Sequence, residues 1–231
     1  MNIGFDIISD LNLTEDDSFN WEGKSTSLYC IISGNISSDK VIVQDTLGHL
    51  SKLYHGVFYI DGSGEYESLV DHHKRVNEIT KLCKNYKNVV YLHNNVVVVD
   101  SIALVGCNGW YGNYNPVDSI EQIRYEMLYH EDLSYICSTV EKLQLHVDVK
   151  KIVMISHSVP DKELYYGEVP ELTDDIGLTL ALTNDTESKI THWVFGSYEK
   201  SVDAIKSGIH YINNSSHRKS PYWAKRFEIE L

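Results

Sequence analysis

The sequence predicts a mixed α/β layered sandwich, with sheets inside and helices outside. Three observations predict it. Short apolar runs alternate with longer helical patterns through the first two thirds of the chain. Several of those runs stop at a small, polar or glycine-containing segment, as buried strands do where they meet a loop. No repeat and no break in composition interrupts the 231 residues, and the prolines Pro116, Pro160, Pro170 and Pro221 are scattered. One domain spanning residues 1–231 is therefore the simplest organisation, and it is long enough to bury a full core.

The elements follow in order. Phe5 to Ser9 reads as a strand ending at Asp10, and Ser27 to Ser33 as a strand ending at Gly34-Asn35. A helix is expected over Ser38 to Leu53, with Val41, Leu47, Leu50 and Leu53 on one side. Gly56 to Asp61 is the next strand, followed by a helix from Tyr66 to Asn85. Val89 to Leu92, Val96 to Asp100 and Ser101 to Cys107 read as strands, the last two joined by a tight hairpin at Asp100-Ser101. A long helix over Asp118 to Leu143 opens with Asp118 as N-cap and Glu121 three residues on, a capping box. Lys151 to Ser156 is a strongly apolar strand. A short helix over Leu172 to Leu182 leads to the strand Ile190 to Phe195. The tail adds strands at Val202 to Lys206, Ile209 to Asn213 and Trp223 to Ile229.

Composition limits the function. Hydrophobic residues at 42% and charged residues at 23% are an ordinary soluble balance. A net charge of -13 repels phosphate backbones and speaks against non-specific nucleic-acid binding. His217, Arg218, Lys219, Lys225 and Arg226 form a basic cluster that reads as a solvated rim. Cys30, Cys83, Cys107 and Cys137 lack CxxC spacing and read as free thiols of a reducing compartment, the cytoplasm. Met1 to Asp6 has no basic segment or long apolar core, so it is not a signal peptide. No apolar run approaches the ~20 residues of a membrane span. The sequons at Asn35 and Asn214 therefore carry no weight.

Five segments carry the chemistry. They are Ser9-Asp10-Leu11-Asn12, Ser33-Gly34-Asn35-Ile36, Asp61-Gly62-Ser63-Gly64-Glu65, Ser156-His157-Ser158-Val159-Pro160 and Phe195-Gly196-Ser197-Tyr198-Glu199. Their order and spacing resemble the calcineurin-like metallophosphoesterase superfamily, whose signature runs DxH, GDx, GNH[DE], a lone His before a small-residue turn, and GHxH. The resemblance spans Ile3 to Leu231 and includes Val105 to Trp110 and His192 to Gly196. It implies a four-layer fold, two mixed β-sheets packed face to face and flanked by helices.

It also implies a two-metal site, in which paired cations clamp the phosphate and the attacking hydroxide. Here most of its ligands are replaced. Asp10 matches the first Asp ligand and His157 the lone His. Asn12 stands for a His, Asn35 for the bridging Asp, and Ser63 for an Asn. Gly64 stands for the His that acts as general acid, and Ser197 and Glu199 replace the two His of the last motif. An amide offers one neutral oxygen and a donor NH₂ in place of two anionic oxygens, so Asn35 cannot bridge two cations. Gly64 leaves nothing to protonate a leaving group.

Two readings follow. The site is dead, with a protonated His157 between Asp10 and Glu199 replacing the cations and Glu199 paired to His157 or Lys200. Alternatively Asp10, His157 and Glu199 hold one Mn²⁺, Mg²⁺ or Ca²⁺, helped by the carbonyls of Asn12 and Asn35. In the first, favoured reading the chain needs no cofactor and acts as a non-catalytic binding or assembly protein. In the second it is a residual metal-dependent phosphoesterase. A sensor of phosphorylated small molecules is opposed by the carboxylates of Asp10 and Glu199.

His72 and His73 read as surface histidines, and His49 and His55 as residues at a helix end. Gly62-Ser63-Gly64 is a weak match to a phosphate loop. Tyrosine is abundant at 16 residues, with Tyr111, Tyr114, Tyr165, Tyr166, Tyr198 and Tyr222 in expected loops. Trp110, Tyr111 and Tyr114 are the favoured contacts for a protein partner. Richness in Asn, Ile, Lys and Tyr suits an AT-rich genome. With the resemblance, it makes a phage-encoded, virion-associated protein an open expectation.

Overall fold

The computed structural model describes residues 2–66, 71–110, 119–165, 177–216 and 222–231. Eleven strands and three α-helices alternate through them. The first sheet has the order β11-β1-β2-β3-β4, built from β11 (Lys225–Glu230), β1 (Asn2–Ile8), β2 (Tyr29–Ser33), β3 (Gly56–Ile60) and β4 (Val89–Tyr91). Its β1 to β4 run parallel and β11 antiparallel. The second has the order β5-β6-β7-β8-β10-β9, from β5 (Asn95–Val99), β6 (Ile102–Cys107), β7 (Lys151–Ser156), β8 (Ile190–Phe195), β10 (Ile209–Asn213) and β9 (Asp203–Lys206). Here β6, β7, β8 and β10 are parallel, while β5 and β9 are antiparallel edges.

Three apolar clusters define the layers. Phe5, Ile7, Ile31, Phe58, Leu104, Val153 and Val194 lie between the two sheets. Ile8, Cys30, Ile32, Val57 and Tyr59 face helices α1 (Lys40–Leu53) and α2 (His72–Cys83) through Val43, Leu47, Leu50 and Ile79. Ala103, Val105, Met154 and Trp193 face helix α3 (Ser119–Gln144) through Ile136, Val140 and Leu143. The strict alternation of strand side chains sends neighbours such as Ile31 and Ile32 to opposite clusters. The result is the four-layer α/β sandwich with two mixed sheets.

Local chemistry sets the helix ends. Asp39 caps α1 by accepting from the Val41 N–H at 2.6 Å. The buried face of α1 is Val43, Thr46, Leu47 and Leu50, with Val41 58% exposed. Val41 therefore leaves the predicted stripe: it sits in the first turn, before the helix rotates onto the sheet. The expected helix from Tyr66 begins only at His72, after a 3₁₀ turn over Ser63–Glu65. The short helix expected from Leu172 is described from Gly177 and is a 3₁₀ helix to Asn184. The Asp118 cap lies outside the described residues. Asp100 and Ser101 form the expected hairpin turn, with φ of 47° and 69°.

All four cysteines are free, and Cys30, Cys83 and Cys107 are buried. Among the described residues, no helix is long and apolar enough to cross a membrane. Of the basic cluster, Lys225 is 3.2 Å from Asp203 and Arg226 2.5 Å from Glu228. His217, Arg218 and Lys219 lie outside the described residues.

Candidate functional site

The parallel strands bring five loops together. β1, β2 and β3 end side by side in one sheet, and β7 and β8 end side by side in the other. Backbone bonds then fasten loop to loop: Asp10 N–H to Gly34 O at 3.0 Å, Asn12 N–H to Asn35 O at 2.9 Å, and Gly196 N–H to His157 O at 3.0 Å. Asp10, Asn12, Asn35 and Ser197 all adopt left-handed backbones, with φ between 46° and 56°. Short Asp and Asn side chains tolerate this conformation best. Four such residues converging on one place mark a loop geometry held by its surroundings.

The side chains form a closed network. Asp10 is 1% exposed. Its Oδ1 accepts from Asn35 Nδ2 at 3.0 Å, and its Oδ2 from the Ser197 N–H at 3.0 Å. Asn35 Oδ1 in turn accepts from the Gly64 N–H at 2.7 Å. The Asn12 amide turns back and donates to the Asp10 carbonyl at 3.0 Å. Asn35 thus spans the gap between Asp10 and the loop after β3, with both ends of its amide satisfied. A Cβ on Gly64 would come within 2.7 Å of Asn35 Oδ1, so the amide has taken the room a side chain would need.

His157 is 2% exposed and packs into the same centre. A Cβ on Gly196 would lie 3.0 Å from its Nδ1 and 3.3 Å from Asp10 Oδ2. Nδ1 donates to the Ser33 carbonyl at 2.8 Å, and Nε2 is buried without a hydrogen-bond partner. The His157 Nδ1 is thus turned to Ser33 and not to Asp10. Asp10 takes its hydrogen bonds from the Asn35 amide and the Ser197 N–H. Ser63 and Glu199 lie at the exposed surface.

These donors do not fit a paired-metal centre. What faces this centre is one carboxylate already accepting two N–H groups, one imidazole nitrogen, and an amide whose NH₂ points at that carboxylate. A four-coordinate ion needs more ligands than that. Among the described residues, no three His, Cys, Asp or Glu side chains converge as a metal site requires.

Two buried features beside the site escaped the sequence reading. The first is Glu65, 1% exposed. Its carboxyl accepts from the N–H groups of Asn35, Ile36 and Gly62 at 2.9, 2.5 and 2.8 Å, and from Tyr59 OH at 3.1 Å. It pins the loop after β2 to the loop after β3. Burial pushes its pKa up to about 8 against the pull of those N–H donors. The acidic last position of the third motif was the available signal.

The second is a polar aromatic cluster. His72 is 5% exposed and Trp110 2% exposed. The Tyr66 ring stacks on His72 at 5.1 Å and meets Trp110 edge-on at 5.3 Å. Asp61, fully buried, accepts from Tyr66 OH and lies 3.5 Å from His93 Nδ1. Burial raises the Asp61 pKa, but His93 and the tyrosine hydroxyl outweigh it and hold the carboxyl at about 2. Burial pushes His72 down to about 4.

His72 is therefore no surface histidine, and Trp110 offers no exposed face to a partner. The physical reason is the same for both: aromatic rings from distant segments, Tyr66, His93 and Tyr125 of α3, pack over them. Tyr111, Tyr114 and Tyr166 lie outside the described residues. Tyr165 packs against Tyr198 at 4.9 Å, and Tyr222 is buried.

No family model matches the chain, and no curated protein matches it by sequence. Solved structures do. A phosphopantetheinyl hydrolase from Mycobacterium tuberculosis aligns over 98% of this chain and 96% of its own, with a TM-score of 0.64 and 14% identity. A Staphylococcus aureus protein described as a 5′-nucleotidase aligns over all of this chain and 51% of its own, at TM-score 0.58 and 14% identity. GAP50, described as the anchor in the inner membrane complex of Plasmodium, aligns over 99% of this chain and 81% of its own, at TM-score 0.61 and 11% identity. The fold is that of the metallophosphoesterase-like α/β sandwiches.

Proposed function

We propose that this chain is a catalytically silent metallophosphoesterase-like scaffold that acts by binding another protein. The observation that carries this reading is Asn35. Its amide joins Asp10 to the Gly64 loop at the position where the resemblance puts a bridging carboxylate. Gly64 supplies no acid, and the Asn35 amide fills the space where one would stand. The open cleft beside this network, about 620 Å³, is walled by Glu15, Asp71 and Glu78 and by Lys40, Lys74 and Arg75, so its charge does not select for a phosphorylated ligand. The anchoring role described for GAP50 fits a use of this fold outside catalysis. Tyr111 and Tyr114 stand as contact residues, joined by Trp223, whose side chain is 66% exposed. The composition suits a phage-encoded protein of the cytoplasm or virion.

One observation favours a second reading. The buried, unpartnered Nε2 of His157 beside Asp10 is a ready ligand, and a single Mn²⁺, Mg²⁺ or Ca²⁺ on Asp10 and His157 would use it, with Glu199 drawn in from the surface to complete the set. Elemental analysis after dialysis against Mn²⁺ and Mg²⁺, run beside Asp10→Ala, separates the two. The scaffold reading expects no metal above the variant's level and no hydrolysis of phosphomonoester or phosphodiester substrates. About one ion per chain, lost in Asp10→Ala, would replace it with the single-cation reading.

A further inference from the structure

We infer that the outer edge of β5 is a self-association surface, on which a second copy of this chain adds its own β5 antiparallel. The two-residue turn at Asp100-Ser101 makes Val99 and Ile102 a hydrogen-bonded pair, and bonding alternates along an antiparallel ladder. Val97 and Asn95 therefore bond inward to β6, opposite Leu104 and Gly106. The N–H and C=O groups of Val96 and Val98 point off the sheet. The Val96 N–H shows this directly, folding onto its neighbour's Asn95 Oδ1 at 2.9 Å. β5 ends the six-stranded sheet, with no strand outside it among the described residues.

Exposed edges are normally protected by charge, proline or brevity. β9 carries Asp203 and Lys206, β11 carries Lys225, Arg226, Glu228 and Glu230, and β4 is three residues long. β5 reads Asn-Val-Val-Val-Val, has no charge, and leaves Val98 51% exposed.

Symmetry makes a second copy the fitting occupant. With Val97 laid on Val97, each Val96 faces Val98 of the other copy, and the outward N–H and C=O groups of these two residues meet as hydrogen-bonded pairs. The half-exposed Val98 gains a β-branched neighbour on its own face. The two Asp100 carboxylates fall ~20 Å apart along the strands, beyond the screening length at physiological salt. Pairing about a two-fold axis uses both edges and stops at a dimer. The net charge of -13 on each chain opposes the approach, so added salt strengthens the dimer.

Sedimentation equilibrium of the full chain across the micromolar range tests this. The expected mass is about twice 26.4 kDa, approached at lower protein concentration as salt rises. Val98→Lys is expected to sediment as a monomer with an unchanged circular dichroism spectrum. Ile205→Lys, on the exposed β9 edge, is expected to stay dimeric. A wild-type monomer throughout, or a Val98→Lys dimer, overturns the inference. Should Val98→Lys fail to fold, amide exchange of the wild type decides: protection of Val96 and Val98 that rises with protein concentration supports pairing, and constant protection overturns it.

Discussion

Asn35 is the residue on which the reading of the site turns. Its NH₂ faces Asp10 Oδ1 at 3.0 Å, and its carbonyl takes the Gly64 N–H. Asn35→Asp would set a second carboxylate against Asp10 with no cation between them. We expect a loss of about 1–3 kcal/mol in urea unfolding at neutral pH, shrinking in acid as one carboxyl takes up a proton. Equal stability of wild type and variant at both pH values would show that the amide is not needed there. Gly64→Ala tests the crowding. Its Cβ would press on Asn35 Oδ1, so the variant should cost stability alone and less in an Asn35→Ala background. Strict additivity of the two changes would count against direct contact.

At the scale of the element, the loops after β2, β3 and β6 are held by buried groups. Glu65 ties the first two together, and Arg75 of α2 reinforces it by donating to the carbonyls of Glu65 and Ser38, each at 2.8 Å. The loop after β6 is anchored by Trp110 and by Asp132 of α3, which accepts from the Gly109 N–H at 2.6 Å. Trp110→Ala should therefore destabilise the fold by about 3–5 kcal/mol, as removal of a large core side chain does. Denaturant unfolding measures this. A change within about 0.5 kcal/mol would return Trp110 to the surface role expected from the sequence.

At the scale of the whole molecule, buried ionisable groups predict how stability follows pH. Burial raises Glu65 to about 8 and Asp132 to about 6. The folded chain then keeps protons that the unfolded chain has released, so their contribution is present at low pH and lost as pH rises through those values. His93 is lowered by burial but raised more strongly by Asp61, so its net shift is upward. Its contribution is present below the ordinary histidine range and lost as pH climbs through its raised value. Asp61, held at about 2, acts oppositely: its contribution is present above the ordinary carboxylate range and lost as pH falls toward 2. Burial holds His72 and His192 down to about 4, so their contribution grows as pH rises from there to the ordinary histidine range and offsets the loss from Glu65 and Asp132. Thermal melts should therefore peak near about pH 6 to 7 and decline toward about pH 9. A melting temperature that rises across the upper range would refute this balance.

The sequence by itself determined the elements and where the chemistry would be sought. Strand runs, the Asp100-Ser101 hairpin and the five strand-end segments are written in local periodicity and turn chemistry, which depend on near neighbours. Asp10, Asn35, Gly64, His157 and Ser197 were legible for that reason, and parallel strands brought them to one place. Only the tertiary structure decided which side chains there meet. It closed Asn35 onto Asp10, sent Glu199 and Ser63 to the surface, buried His72 and Trp110, and gave Glu65 its three backbone donors. Burial and partnership are set by what packs over a residue from distant segments, such as α3 over the loop after β6, and no local pattern encodes that distance.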